Sequence, residues 1–260
     1  MVVSRGLASR YARRFGRDAI YVPNGVDAPQ ARPADTIKAR YGLARRSYPL
    51  FVGRFVPEKA PDLLIRAYRR VPGERRLVIA GDSSFTDDCV AELRRLASED
   101  PRMLFVGNVY GELLAELYSN AAAFVLPSYV EGMPLTLLEA ASYGLPVVTS
   151  DIDPHREVCL DDGPGHRLFR SGDEVSLVRA LRDALGGAAD LDGAAGLRAQ
   201  VLAEYRWDTA ALLLEELYVR LVRGAAAASD TSRDVLAGAT AGGVTPRSLP
   251  LEGSPSHPPG

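Results

Sequence analysis

The sequence predicts an α/β fold with a Rossmann-like, doubly wound parallel sheet, and three observations lead to it. From residue 49 onward, short apolar runs recur without the in–out alternation of strands that face water on one side. Amphipathic stretches of helical length separate them. Several runs end in Gly or Pro, which leaves room at the strand carboxyl ends, where such sheets bind ligands.

Taken in order, strands are expected at Pro49–Gly53, Arg76–Gly81, Met103–Gly107, Ala123–Pro127 and Pro146–Ser150. The intervening helices fall at Asp62–Arg70, Asp88–Ser98, Glu112–Ala121 and Pro134–Tyr143. Residues 172–186 and 194–223 read as amphipathic helices. In the last helix, starting at Trp207, the residues Leu212, Leu213, Leu217 and Leu221 make an apolar stripe expected to face a core. After Gly224 the composition shifts to Ala, Ser, Thr, Gly and Pro, so 224–260 reads as a disordered tail. At the front, residues 1–23 offer one helical piece and a strand at Ala19–Pro23, followed by Asn24 and Gly25. One helix and one strand cannot bury a core. Residues 1–24 therefore read as the trailing end of another domain, and 25–223 as the sheet domain proper.

Composition narrows the function. Of 260 residues, 47% are hydrophobic, enough for a sizeable core. The net charge of −2 and a pI of about 6.0 do not suggest a nucleic-acid partner. Two cysteines, Cys89 and Cys159, form no disulfide framework and point to a reducing, cytoplasmic setting. No apolar run approaches the ~20 residues of a membrane helix. The opening residues carry no apolar h-region, so no signal peptide is expected. Peripheral membrane contact stays open. Arginine dominates the basic residues. The only lysines are Lys38 and Lys59, which singles out the second.

The richest stretch runs from Glu131 to Glu139 (EGMPLTLLE). Glu139 is the only charged residue between Gly132 and Ser150, and its neighbours are those of a buried helix. A carboxylate there needs a hydrogen-bonding partner. Pro134 suits the first helical turn, which puts Glu131 and Gly132 at the helix mouth, where free amides and the dipole favour a phosphate. A diol-binding acid and an anion site together suggest a nucleotide-sugar. The bland alternative is a helix with an acid on its solvent edge. A second stretch, Gly53 to Lys59, follows the first predicted strand. Gly53 permits a tight exit, and Arg54 and Lys59 can converge on one anion. A solvated basic loop is the competing reading. A further post-strand loop, Gly81 to Ser84, lacks the G-x-G-x-x-G pattern, as does the whole chain, and no Walker-type loop occurs. Asp151, Asp153 and His155 resemble metal ligands, but Pro154 is expected to force a turn at which Asp bonds backbone amides, so no metal site is assigned. His166 and His257 stand alone, and no Ser-His-Asp or Cys-His arrangement is visible.

The order Gly53-Arg54, Glu58-Lys59, Ala80-Gly81-Asp82, Phe105 to Val109 and Pro127 to Ala140 resembles the retaining GT-B glycosyltransferases of family 4. The likeness covers about residues 20–223. It implies transfer of a hexose from a nucleotide-diphosphate sugar, with UDP and GDP both candidates, and with no cofactor or metal. By the same resemblance Arg54 and Lys59 neutralise the diphosphate, and Glu131 contacts the transferred sugar. Gly132, Met133, Pro134 and Leu135 cradle the sugar and distal phosphate, and Glu139 binds the ribose. The backbone near Gly107 and Val109 faces the base. Where the family often has glycine after the lysine, this chain has Ala60. By the same resemblance, nearly all of the family's first domain, which supplies the acceptor pocket, is expected to be missing from this sequence. Two readings follow: an enzyme completed by further sequence or by a separate acceptor-domain polypeptide, or a truncated, non-catalytic donor-binding module.

Overall fold

The computed structural model describes residues 1–82, 87–160, 163–186 and 191–240. Ser83, Ser84, residues 241–260 and His257 lie outside the described residues. The described residues hold six strands: β1 (Pro49–Val52), β2 (Leu77–Ala80), β3 (Met103–Gly107), β4 (Ala123–Leu126), β5 (Val147–Ser150) and β6 (His166–Phe169). They form one sheet in the order β3-β2-β1-β4-β5-β6, with every pairing parallel. Strands β2, β4 and β5 are buried along their whole length, which is why their runs do not alternate.

The helices are α1 (Arg5–Phe15), α2 (Thr36–Tyr41), α3 (Pro61–Arg69), α4 (Asp87–Ala97), α5 (Gly111–Asn120), α6 (Leu135–Ser142), α7 (Asp153–Cys159), α8 (Glu174–Gly186), α9 (Leu191–Glu204) and α10 (Trp207–Thr240). Local chemistry explains several boundaries. Ser4 caps α1 by accepting from Leu7 N, and Gly16 ends it in the left-handed region at φ 61°. Pro61 opens α3, where a missing N–H costs nothing. The core is one cluster between sheet and helices, with Tyr48, Phe51, Phe124 and Ile65 fully enclosed.

Five readings need correction. Pro154 does not make a turn. It sits in the first turn of α7, which its fixed φ suits. The short strand β6 was not anticipated, because His166 and Arg167 break up its apolar pattern. Ala19–Pro23 forms no strand, only a bridge from Tyr21 to Val2. Within the first compact unit the stripe on the last helix does not face a core: Leu212 and Leu213 are 61% and 37% exposed. That helix also runs past Gly224 to Thr240, because Ala225–Ala228 are the strongest of helix formers. By contacts the chain divides into two compact units, Met1–Leu213 and Leu214–Gly260. Residues 1–24 belong to the first.

Candidate functional site

The sheet order reverses between β1 and β4. Chain growth runs outward from β1 to β3, then returns to place β4 on the other side of β1. Loops after β1 and β4 therefore flank a topological switch point, the place where open α/β sheets leave a crevice. The two stretches singled out by sequence, Gly53–Lys59 and Glu131–Glu139, lie in the first of these loops and in the end of the second with the start of α6.

Backbone bonds tie the strand ends together. Gly53 N donates to Ala80 O at 3.0 Å, and Gly81 N donates to Gly107 O at 2.9 Å. Gly81 adopts φ 141°, and a Cβ added there would lie 1.9 Å from Gly53 O, so no other residue fits. Past Gly53 the chain makes a single 3₁₀ turn, Pro57–Lys59, and reaches Ala60 at φ 51° and ψ 44°. That left-handed backbone is the physical reason for a glycine preference here. An alanine in it costs on the order of 1 kcal/mol.

The two loops meet through both backbone and side chains. Tyr129 N donates to Glu58 O at 2.8 Å. Lys59 Nζ donates to Glu131 Oε1 at 2.6 Å, with the two side chains only 15% and 8% exposed. Ser128 Oγ donates to the same oxygen at 2.7 Å. Ser150 Oγ, at the end of β5, donates to Ser128 O at 2.5 Å. His155 Nδ1 lies 2.9 Å from Ser150 O and 3.1 Å from Ser150 Oγ. Burial pushes the His155 imidazole down to about 4, so the ring is neutral at pH 7. From the other side, Asn24 Nδ2 donates to Met133 O at 3.0 Å. Asn24 is held in turn by close packing of the next residue: a Cβ on Gly25 would sit 2.3 Å from Trp207 N. Arg54 is 62% exposed and 3.9 Å from Glu58, so it does not share the enclosed ion pair.

Helix α6 then begins, with Pro134 at its N-cap and no side chain capping it. Its first amides are open to an anion. Met133 and Pro134 are buried, whereas Leu135 is exposed. One turn and a half further on, Glu139 Oε2 accepts from Tyr118 Oη at 2.9 Å. Burial raises the Glu139 carboxyl above the usual range, and burial together with Glu139 raises the Tyr118 phenol. Tyr118 stacks on Tyr143 with centroids 5.4 Å apart.

Two cavities of ligand size border this arrangement and share no lining residue. One of about 340 Å³ is lined by Glu131, Tyr129, Asp153, Ser4, Arg10 and Arg13. The other, about 290 Å³, is lined by Glu139, Tyr118, Tyr143, Leu135, Gly111 and Trp207. Of the stretch expected to face a base, Gly107 lies at the end of β3 and Val109 is buried. Neither lines the second cavity, but Gly111 does. Sequence reasoning missed Ser128, Ser150, Tyr118 and Asn24. The two serines sit at or just past strand carboxyl ends, which was the available signal.

A family model described as glycosyl transferases group 1 matches residues 46–186. Among curated relatives, the chain is 32% identical over 209 residues to D-inositol 3-phosphate glycosyltransferase of Mycobacteroides abscessus. That match covers 76% of this chain and 45% of the relative. It is 32% identical over 237 residues to the GDP-mannose-dependent alpha-(1-6)-phosphatidylinositol monomannoside mannosyltransferase of Mycolicibacterium smegmatis, covering 83% and 60%. The chain thus spans about half the length of these relatives. Among solved structures, sucrose-phosphate synthase of Thermosynechococcus elongatus matches with a TM-score of 0.70 and 27% identity, over 86% of this chain and 58% of that one. The Anabaena protein HepE, solved with UDP-glucose, shares the fold at a TM-score of 0.75 and 19% identity, over 84% and 63%.

Proposed function

The chain belongs to the glycosyl transferases group 1, and from that premise we propose that it is the donor-binding half of a hexosyltransferase taking a nucleotide-diphosphate sugar. The observation that carries this reading is the meeting of Lys59 and Glu131 over the switch point, beside the uncapped start of α6. A diphosphate would gain the ammonium of Lys59, the guanidinium of Arg54 and the amides around Gly132, Met133 and Leu135. Lys59 has three N–H donors, so it can serve a phosphate and Glu131 together. Glu131 would face the transferred sugar, and Glu139 the ribose. The positive groups and the helix dipole would stabilise the departing nucleotide diphosphate, the task a metal performs elsewhere, so transfer is proposed to be metal-independent. Retention of configuration is part of the proposal, as the family resemblance implies.

The acceptor side rests on other residues. Because the chain spans half of its relatives' length, a second reading stands beside the first: a donor-binding module, or a subunit completed by a separate acceptor-domain polypeptide. Transfer gains much of its rate from holding both reactants in one geometry, and the site assembled here serves one of them. A cytoplasmic location fits the buried, unpaired Cys159. No helix among the described residues is long and apolar enough to cross a membrane.

Calorimetric titration with UDP, GDP, ADP and their sugar derivatives tests donor binding. One base series is expected to bind, with no effect of EDTA. Arg54→Ala and Lys59→Ala should each weaken binding about tenfold or more, the scale of a lost charge-assisted hydrogen bond. Absence of heat with every nucleotide at millimolar concentration would contradict the proposal.

A further inference from the structure

The chemistry of the acceptors gives the hydrogen bonds beneath Glu131 a direction. Ser150 O can only accept, so His155 Nδ1, 2.9 Å away, must carry the proton. That N–H is shared with Ser150 Oγ at 3.1 Å. The Ser150 hydroxyl, accepting there, spends its own proton on Ser128 O. Ser128 Oγ in turn donates to Glu131 Oε1, which also receives Lys59 Nζ. Every proton along the line points toward the carboxylate loop. All three supporting residues, Ser128, Ser150 and His155, are fully buried, so water does not compete for these bonds. The tautomer leaves Nε2 of His155 as a bare acceptor, and among the described residues that buried atom has no hydrogen-bond partner. The outcome at Glu131 is asymmetric. Oε1 is held by two donors, whereas Oε2 has no hydrogen bond among the described residues and belongs to a side chain in the wall of the 340 Å³ cavity.

We infer that Ser128, Ser150 and His155 are positioning residues for Glu131: a buried brace that clamps Oε1 and presents Oε2 to the sugar hydroxyls of the donor. The inference rests on the proposed role of Glu131 at the transferred sugar. The brace adds no charge, because the imidazole is neutral, and it touches no substrate. It acts by removing the freedom of one glutamate rotamer, so that the carboxylate is ordered before the donor arrives. It also explains why a histidine stands in the first turn of α7, where the sequence offers it as a metal ligand. The ring turns inward to Ser150.

The test separates reading a sugar from holding a fold. Affinities of the full chain for UDP and UDP-glucose, and for GDP and GDP-mannose, are measured for wild type, Ser128→Ala, Ser150→Ala and Ser150→Thr. The expected result is a five- to tenfold loss of the preference for sugar nucleotide over bare nucleotide in both alanine variants. Bare-nucleotide affinity should stay within twofold, and the threonine, which keeps the hydroxyl, should restore the preference. A lower melting temperature with the preference unchanged would overturn the brace, as would equal weakening of both ligands. A second readout needs no ligand. The ¹⁵N spectrum of the histidine rings, assigned with His155→Asn, should show His155 protonated at Nδ1 and bare at Nε2. An Nε2–H tautomer would overturn the brace. If wild type binds neither nucleotide nor sugar nucleotide, the donor-binding proposal falls, and the tautomer alone decides whether the brace exists.

Discussion

Glu131 and Glu139 lie eight residues apart on one continuous stretch, yet their surroundings treat the same carboxyl group in opposite ways. Glu131 sits in a loop and is given a cation at 2.6 Å, a hydroxyl at 2.7 Å and a line of buried donors behind it. Glu139 sits inside a helix, meets a single phenol at 2.9 Å, and has its proton affinity raised by burial. The first environment is built to keep a charge in a fixed place. The second keeps a partly desolvated carboxyl group with one phenol as its side-chain partner. Under the proposed function, a donor with a phosphate-linked sugar at one end and a ribose diol at the other would use that difference. The cavities reflect it, since each glutamate lines its own.

The largest effect expected from breaking this contrast lies at Lys59. Lys59→Met would strand a nearly enclosed carboxylate without its cation, and removing one partner of a buried pair costs about 3–5 kcal/mol. Urea unfolding of the variant against wild type should show most of that loss. A difference under about 1 kcal/mol would mean that the pair behaves as a solvated surface bridge.

Next in size is the pH dependence carried by His155. Its folded pKa of about 4 lies below the ordinary 6.5, so between those values the unfolded chain binds the extra proton. The associated stability is fully present above pH 6.5 and is lost as pH falls toward 4. A depression of this size corresponds to about 3 kcal/mol. Lys59 acts to depress the pKa and Glu131 to raise it, both less than burial does. Glu139, with a raised pKa, contributes the opposite slope in the carboxylate range, but it does so equally in wild type and in His155→Asn. The difference between their stability–pH curves therefore isolates the imidazole. Parallel curves would contradict a buried neutral histidine.

The smallest change is expected at the other glutamate. Tyr118→Phe removes the hydrogen bond to the Glu139 carboxyl and should lower stability by only about 1 kcal/mol. It should leave sugar preference at the Glu131 end untouched in the same nucleotide titration. A loss of several kcal/mol would recast Glu139 as a structural group.

Much of this contrast was legible in the sequence, and the illegible part has a pattern. The parallel sheet followed from apolar runs without alternation, and five of its six strands stand where those runs fall. The sixth, β6, hid because His166 and Arg167 interrupt it. The Lys59 and Glu131 loops could be named because glycine, proline and charge mark them along the chain. What could not be read was partnership across the chain. Tyr118 reaches Glu139 from another helix, 21 residues away. His155 reaches Glu131 only through two serines on separate strand ends. Its neighbours Asp151 and Asp153 suggest a metal cluster in one dimension. In three dimensions Asp151 accepts from Ser171 N and pairs with Arg156, and Asp153 opens α7 beside Gly6. The apolar stripe on α10 shows the reverse error, because helical periodicity identifies an apolar face without identifying what covers it.

The central claim is that the two glutamates read different ends of one donor. Calorimetry on wild type, Glu131→Gln and Glu139→Gln with a matched pair, such as UDP and UDP-glucose or GDP and GDP-mannose, measures it directly. Glu139→Gln should weaken both ligands of the pair alike, with its melting temperature close to that of wild type. Glu131→Gln should weaken the sugar nucleotide and leave the bare nucleotide nearly unchanged. Identical affinities in all three proteins, or the same loss for both ligands in both variants, would contradict the account.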